Sequence, residues 1–301
     1  FQRVKVSIFL EKILKLPHIC IIIGFLSLFL VELDRRSYES NIFNNSDSNI
    51  EIIKSIHPSK EFTIISHGFA GSKEMMRQIA YDIANAGSNA VLFDFIGHGS
   101  NQHKLVNQPT EITGTTKQLV NQLSDIIKFV YEKFGNEISI SLVGHSMASD
   151  IVIRASADKR IKSVVAISPY STGITQDFPK DLLLISGQFE NHLRLHALQM
   201  VKTFKPEVKE NTEYADEKIR RKASFIDNTG HVSVIYAPQT TRIIIDWLKL
   251  DNYDRPFWKT QIGWIIIGVT LIVFGMSRLN ANLVHQNISD AADKRASSKL
   301  L

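Results

Sequence analysis

Apolar and polar positions divide this chain of 301 residues into two uncharged apolar runs near its ends and a patterned region between them. The first run, Ile19 to Val31, has no charged residue, and Leu16 and Leu33 extend it. It is near the lower length limit for a membrane span. A secretory signal would need a small-x-small cleavage site after the run, and Glu32-Leu33-Asp34-Arg35-Arg36 offers none. A buried soluble helix would need a core around it, yet this run precedes the patterned region and adjoins a polar stretch. The second run, Ile262 to Met276, is also uncharged, and Tyr253, Trp258 and Trp264 near it suit a membrane interface. The pattern therefore predicts membrane helices over 18–33 and 258–277. A basic segment at 1–17, a polar Asn/Ser-rich linker at 34–47, a polar hinge at 251–259 and a polar tail at 278–301 flank them.

Between 48 and 250, short apolar runs alternate with stretches of helical period. Strands are predicted at 50–53, 62–65, 89–93, 138–143, 161–167, 182–185 and 223–226. Helices are predicted at about 72–86, 115–134, 147–155, 191–204, 213–221 and 234–248. Strands alternating with helices imply a mostly parallel sheet covered on both faces, an α/β fold. The segment Pro169 to Asp181 between two strands is short.

The chemistry concentrates at Gly144-His145-Ser146-Met147-Ala148. A strand, a sharp turn carrying a Ser and an immediate helix form the layout of a nucleophile elbow. Small residues must flank the Ser. Gly144 meets this two before, and Ala148 stands two after, where Gly is commoner. The bland alternative is a Ser helix cap in some other α/β protein.

Hydrophobic residues make up 44% of the chain and charged residues 22%, enough apolar material for a packed core. The net charge of +5 is spread along the chain without a Lys/Arg block, so no nucleic-acid partner is read from it. The single cysteine, Cys20, lies in an apolar run, which excludes an internal disulfide and argues against a Cys-based metal site or a Cys nucleophile. No metal or other cofactor is expected. His192 and His196 have i, i+4 spacing, but no acidic or thiol pattern completes a zinc site around them.

His67-Gly68 after a strand, Asp94-x-x-Gly97-x-Gly99, Gly144-x-Ser146-x-Ala148, Gly187-x-x-Glu190 and His231 before the last helix follow in order. Together they resemble the α/β-hydrolase superfamily, with the serine aminopeptidase and monoacylglycerol-lipase-like esterases as the nearest group. The resemblance covers about 48–250, and because the short Pro169–Asp181 segment stands where lids of the superfamily usually enter, it implies an open cleft with little or no lid. It implies Ser146 as nucleophile, His231 as general base and Glu190 as the acid, in the family's chain order. Asp227 and Asp181 are the rival acids. It also implies an oxyanion hole from the backbone N–H groups of Phe69 and Met147, a structural turn at Asp94, and a packing role for His145. His67 is expected to support the oxyanion loop, and Asp150 to be a polar surface group or one that supports the site. Read this way, the chain is a membrane-anchored serine hydrolase acting on small or lipid-like acyl esters. The alternatives are a serine aminopeptidase or amidase using the same triad, or a non-catalytic membrane protein of this fold. Four Lys/Arg precede the first run and four follow the second, against Arg35, Arg36, Lys249, Arg255 and Lys259 on the domain side, a modest bias that favours both termini in the cytoplasm and the hydrolase domain outside. Oligomeric state is not legible.

Overall fold

The computed structural model describes residues 2–45, 48–105, 112–251 and 260–297. The hinge with Tyr253 and Trp258 lies outside the described residues. The chain forms two compact units, one of Phe1–Ser37 with Phe257–Leu301 and one of Tyr38–Pro256.

The chain begins with helix α1 (Gln2–Arg36), so the basic segment and the apolar run form one helix. The second unit then opens with β1 (Ser40–Asn45), β2 (Ser48–Ile53), β3 (Glu61–Ser66), α2 (Lys73–Asn85) and β4 (Asn89–Leu92). A π-helical turn at Ile112–Thr116 leads into α3 (Lys117–Phe134), followed by β5 (Ser139–His145), α4 (Met147–Ala155) and β6 (Ile161–Ile167). The unit closes with β7 (Asp181–Gly187), α5 (Asn191–Lys202), β8 (Glu213–Ala215), β9 (Arg220–Ile226), a 3-10 turn at Ser233–Tyr236 and α6 (Pro238–Leu248).

The linker reading of 34–47 is corrected. Ser40–Asn45 pairs antiparallel with β2, from Ser40 opposite Ile53 to Asn45 opposite Ser48. As an edge strand it has one neighbour, so it needs little apolar material. Ile42 is exposed, while Phe43 packs on the core and against Phe129. The predicted helix at 213–221 is also corrected: β8 pairs with the start of β9 there. The unit therefore begins about ten residues earlier than the pattern suggested.

The nine strands lie in the order β1-β2-β4-β3-β5-β6-β7-β9-β8. The inner run β4-β3-β5-β6-β7-β9 is parallel, and β1, β2 and β8 join antiparallel. Alternate strand residues feed two cores. Ile64, Leu142 and Leu184 pack with Leu123 and Ile127 of α3 and Ile151 of α4. Ile65, Val143 and Ile185 pack on the other face with Ile79 and Ile83 of α2 and Ile244 of α6. Cutting such a fully buried side chain to Ala removes about 2–5 kcal/mol. The direction of strand addition reverses between β3 and β5, and the crevice outside the carboxyl ends at such a switch point is where α/β sheets bind ligands.

The first unit pairs α1 with α7 (Gln261–Ser297). The helices meet where Gly24 and Gly268 face each other, and Ser27 Oγ donates to Trp264 O at 2.7 Å. Leu16–Arg36 and Gln261–Ile288 are each long and apolar enough to cross a membrane. Ile22, Phe25, Phe29, Val273 and Met276 are exposed. The expected polar tail continues α7 as helix to Ser297, because helical propensity does not need apolar residues.

Candidate active site

Ser146 stands alone between β5 and α4, at φ 55° and ψ −117°. A non-glycine residue held there costs on the order of 1–3 kcal/mol, so the surrounding packing must impose the turn. Gly144 makes that packing possible. A Cβ at this position would lie 2.5 Å from Ala148 O and 2.8 Å from Val152 Cγ2. Ala148 itself is fully buried, so the departure from Gly is absorbed by the core.

Three elements supply a hydrogen-bonded row. The Ser146 hydroxyl meets His231 Nε2 at 2.9 Å, and His231 Nδ1 meets Glu190 Oε1 at 2.6 Å. The other Glu190 oxygen accepts from Gly187 N at 2.6 Å and Ser168 Oγ at 2.9 Å. With Nδ1–H donating to the carboxylate, Nε2 is left to accept from the hydroxyl. Burial pushes the Glu190 carboxyl up, but the bonds from His231, Gly187 and Ser168 outweigh it and hold its pKa below the ordinary value. The bond to Glu190 raises the pKa of His231 above that of a free imidazole, against the opposing effect of burial.

Of the rival acids, Asp227 is exposed beyond the end of β9. Asp181 starts β7 at the opposite end of the strand and bonds Arg220 Nε at 2.7 Å.

Two further histidines frame the row. His67 is fully buried. Phe95 N donates to its Nε2 at 3.0 Å, so the ring proton sits on Nδ1 and donates to Gly68 O at 2.8 Å. Burial lowers its pKa. The loop it holds runs beside Ser146: a Cβ on Gly68 would come within 3.0 Å of Ser146 Cβ. Phe69 is the next residue on that loop, and Met147 opens α4 on the other side of Ser146. His145 Nε2 donates to His231 O at 2.8 Å, which ties the His231 loop to the end of β5. Burial pushes the His145 pKa down to about 4. Asp94 accepts from Lys73 N and from the backbone and hydroxyl of Ser100, a turn-holding arrangement.

Sequence reasoning missed Ser168. It follows β6 in the left-handed region at φ 51°, where its hydroxyl reaches Glu190. A polar residue between an apolar strand and Pro169 was the available signal. His196 bonds the backbone of Ser171 and its ring stacks on Tyr170. Among the described residues no group of three or more His, Cys, Asp or Glu could hold a metal.

The row opens into a cleft of about 560 Å³ whose lining includes Ser146, His231, Leu119, Ile151 and Leu193, with Asp150 and Arg154 farther along α4. The segment 168–180 contains no helix, so no helical lid is inserted there.

A family model described as alpha/beta hydrolase fold matches residues 64–277. The chain belongs to the α/β-hydrolase fold family. Among solved structures, this α/β hydrolase is similar to a dienelactone hydrolase from Anabaena variabilis, with a TM-score of 0.53 and 13% identity over 72% of this chain and 99% of that one. It is also similar to a membrane phospholipase A described as a bacterial virulence factor, with a TM-score of 0.51 and 12% identity over 83% and 98%. A laboratory-evolved potato epoxide hydrolase aligns with a TM-score of 0.51 and 12% identity over 70% and 99%. At these identities the likeness establishes the fold alone. No curated protein matches the chain in sequence.

Proposed function

We propose that this α/β hydrolase is a membrane-anchored serine hydrolase that cleaves acyl esters through an acyl-enzyme. The observation that carries the reading is the unbroken row from Glu190 through His231 to Ser146. Ser146 Oγ attacks the ester carbonyl while His231 Nε2 takes its proton. The imidazolium then gives that proton to the departing alkoxide, which leaves Ser146 acylated. Water, deprotonated by the same nitrogen, releases the acid and restores the hydroxyl. Glu190 fixes the tautomer and stabilises the imidazolium. The backbone N–H groups of Phe69 and Met147, with the positive end of α4, meet the oxyanion of each tetrahedral intermediate.

Apolar side chains beside the row support an acyl substrate. Phe69, Tyr170, Phe189 and Val232 are exposed, and each lies within two residues of Gly68, Ser168, Glu190 or His231. The names of two similar structures, a dienelactone hydrolase and a phospholipase A, agree with ester chemistry. Lipid-like or short-chain acyl esters follow as the substrate class. A panel of p-nitrophenyl esters, monoacylglycerol and aminopeptidase amides, run on the wild type and Ser146→Ala, tests this. Ester turnover that disappears in the variant is expected; turnover confined to the amides would overturn the ester assignment.

The same reading puts the hydrolase domain outside the cytoplasm and both termini inside, on the Lys/Arg balance around the two apolar helices. Protease added to intact spheroplasts should digest the region 45–250. Protection of that region by an intact membrane would reverse the orientation.

A further inference from the structure

The cleft has a second chemical region that the proposed reaction does not use. Asp150 and Arg154 follow Ser146 by four and eight residues, so all three share one face of the helical path. Both line the cleft that holds Ser146 and His231. Arg154 Nε donates to Asp150 Oδ2 at 2.7 Å, and its Nη2 donates to Thr172 Oγ1 at 3.1 Å. The other Asp150 oxygen accepts from Ser171 Oγ at 2.5 Å. Ser171 is held in turn, since Gly173 N donates to its Oγ at 3.0 Å and its own N–H donates to His196 Nε2 at 3.3 Å. The Tyr170 ring stacks on that imidazole with centroids 4.7 Å apart. The segment after β6 thereby fixes the guanidinium against α4.

An i, i+4 ion pair on a helix is ordinary. This one differs in what it leaves available. Each Asp150 oxygen already accepts a bond, whereas Arg154 Nη1 donates to no protein atom among the described residues, and Nη2 keeps a second hydrogen. The Arg154 side chain is a quarter exposed. The clasp therefore presents donors, held in one orientation, to whatever enters the cleft. A planar guanidinium with free N–H groups is matched by the oxygens of a carboxylate or phosphate. Its Nε bond draws the guanidinium back to the turn of Asp150, about 6 Å along the helix axis from Ser146 at 1.5 Å per residue. Leu119 and Ile151 line the same cleft as apolar wall.

We infer that the Asp150–Arg154–Thr172 clasp is a subsite for an anionic oxygen group carried by the ester substrate, a short apolar linker away from the scissile carbonyl. This rests on the serine-hydrolase reading and narrows its substrate class to esters with a charged end. The anion has two possible sources, a carboxylate ending the acyl chain or a phosphate on the alcohol.

Matched substrate pairs test the inference in the full-length protein. p-Nitrophenyl hexanoate against the p-nitrophenyl monoester of adipate places a carboxylate on the acyl side. A monoacylglycerol against the corresponding acylglycerol phosphate places the anion on the alcohol side. One anionic member should exceed its neutral partner about tenfold or more in kcat/KM, chiefly through KM, and the winning pair identifies the source. Arg154→Met should bring that ratio to one or below, and Arg154→Lys should retain part of it. Because the ratio is read within each variant, it does not depend on the folded fraction. Turnover of the neutral esters with no anionic preference in either pair, or a ratio unchanged in Arg154→Met, overturns the subsite and leaves the serine-hydrolase reading standing. No turnover of any ester, with no labelling by a fluorophosphonate, removes both.

Discussion

At the amino edge of the sheet, the pairs Lys162–Glu61 and Arg220–Asp181 are partly exposed surface ion pairs. Lys162 lies 3.2 Å from Glu61, and Arg220 pairs with Asp181 while its guanidinium covers the Trp247 ring at 3.8 Å. At the carboxyl edge the preferences invert. Ala70, Ser146, Ser168 and Asn228 take left-handed conformations at φ 51° to 56°. His67 and His145 are buried with lowered pKa values, while Phe69 and Phe189 face solvent. One sheet thus carries partly exposed ion pairs at one edge and a cluster of positive-φ residues and buried histidines at the other. Such strain persists only where surrounding packing fixes it, and it clusters where function needs a set geometry. Substitutions at the two edges should therefore act differently, on rate at the carboxyl edge and on stability at the amino edge.

The largest expected effect is at the carboxyl edge. Glu190→Gln should retain the fold and cut turnover by about three to four powers of ten, since it removes the charge that stabilises the imidazolium. Steady-state kinetics beside Asp227→Asn checks it. A crippled Asp227→Asn with a normal Glu190→Gln would place the acid elsewhere. A smaller loss is expected from His145→Phe, which removes the donor to His231 O. About a tenfold fall in kcat with KM held is the expected size for one such bond. A change in KM alone would contradict the positioning role.

The pH profile sharpens the same side of the comparison. Only neutral His231 can accept the Ser146 proton, and Glu190 raises the pKa of His231 above 6.5. Activity should therefore be lost as pH falls through a value above 6.5, and this limb should move to lower pH in Glu190→Gln. A limb below 6.5 in the wild type would contradict the coupling. The smallest catalytic effect belongs to the amino edge. Asp181→Asn should leave kcat/KM within about twofold and lower unfolding stability by about 1 kcal/mol, the scale of a partly exposed ion pair. Urea unfolding measured beside turnover separates the two responses.

Much of this organisation was legible in the sequence. The inner strands read clearly because they are buried on both faces, and they form long apolar runs such as Leu182–Ile185. The elbow was legible because Gly144 and Ser146 carry its steric demands in their identities. Glu190 was preferred over Asp227 and Asp181 as the first carboxylate on the loop after the strand Leu182–Ile185, and the structure places Glu190, rather than either aspartate, against His231. The edges were not legible. β1 and β8 have one neighbour each and need no apolar alternation, so Ser40–Asn45 read as linker and Glu213–Ala215 as helix. Ser168 was missed because the local signal, a polar residue before Pro169, does not announce the left-handed turn on which its contact with Glu190 depends. The clasp of Arg154 with Thr172 joins α4 to the segment after β6, a pairing that only the folded chain brings together.

If Ser146 is a nucleophile activated by His231, intact-mass analysis after reaction with a fluorophosphonate should show one adduct per chain, on Ser146. The adduct should be absent in Ser146→Ala and form more slowly as pH falls through the His231 limb. A folded wild type that forms no adduct, or an adduct that survives in Ser146→Ala, would contradict that role for Ser146.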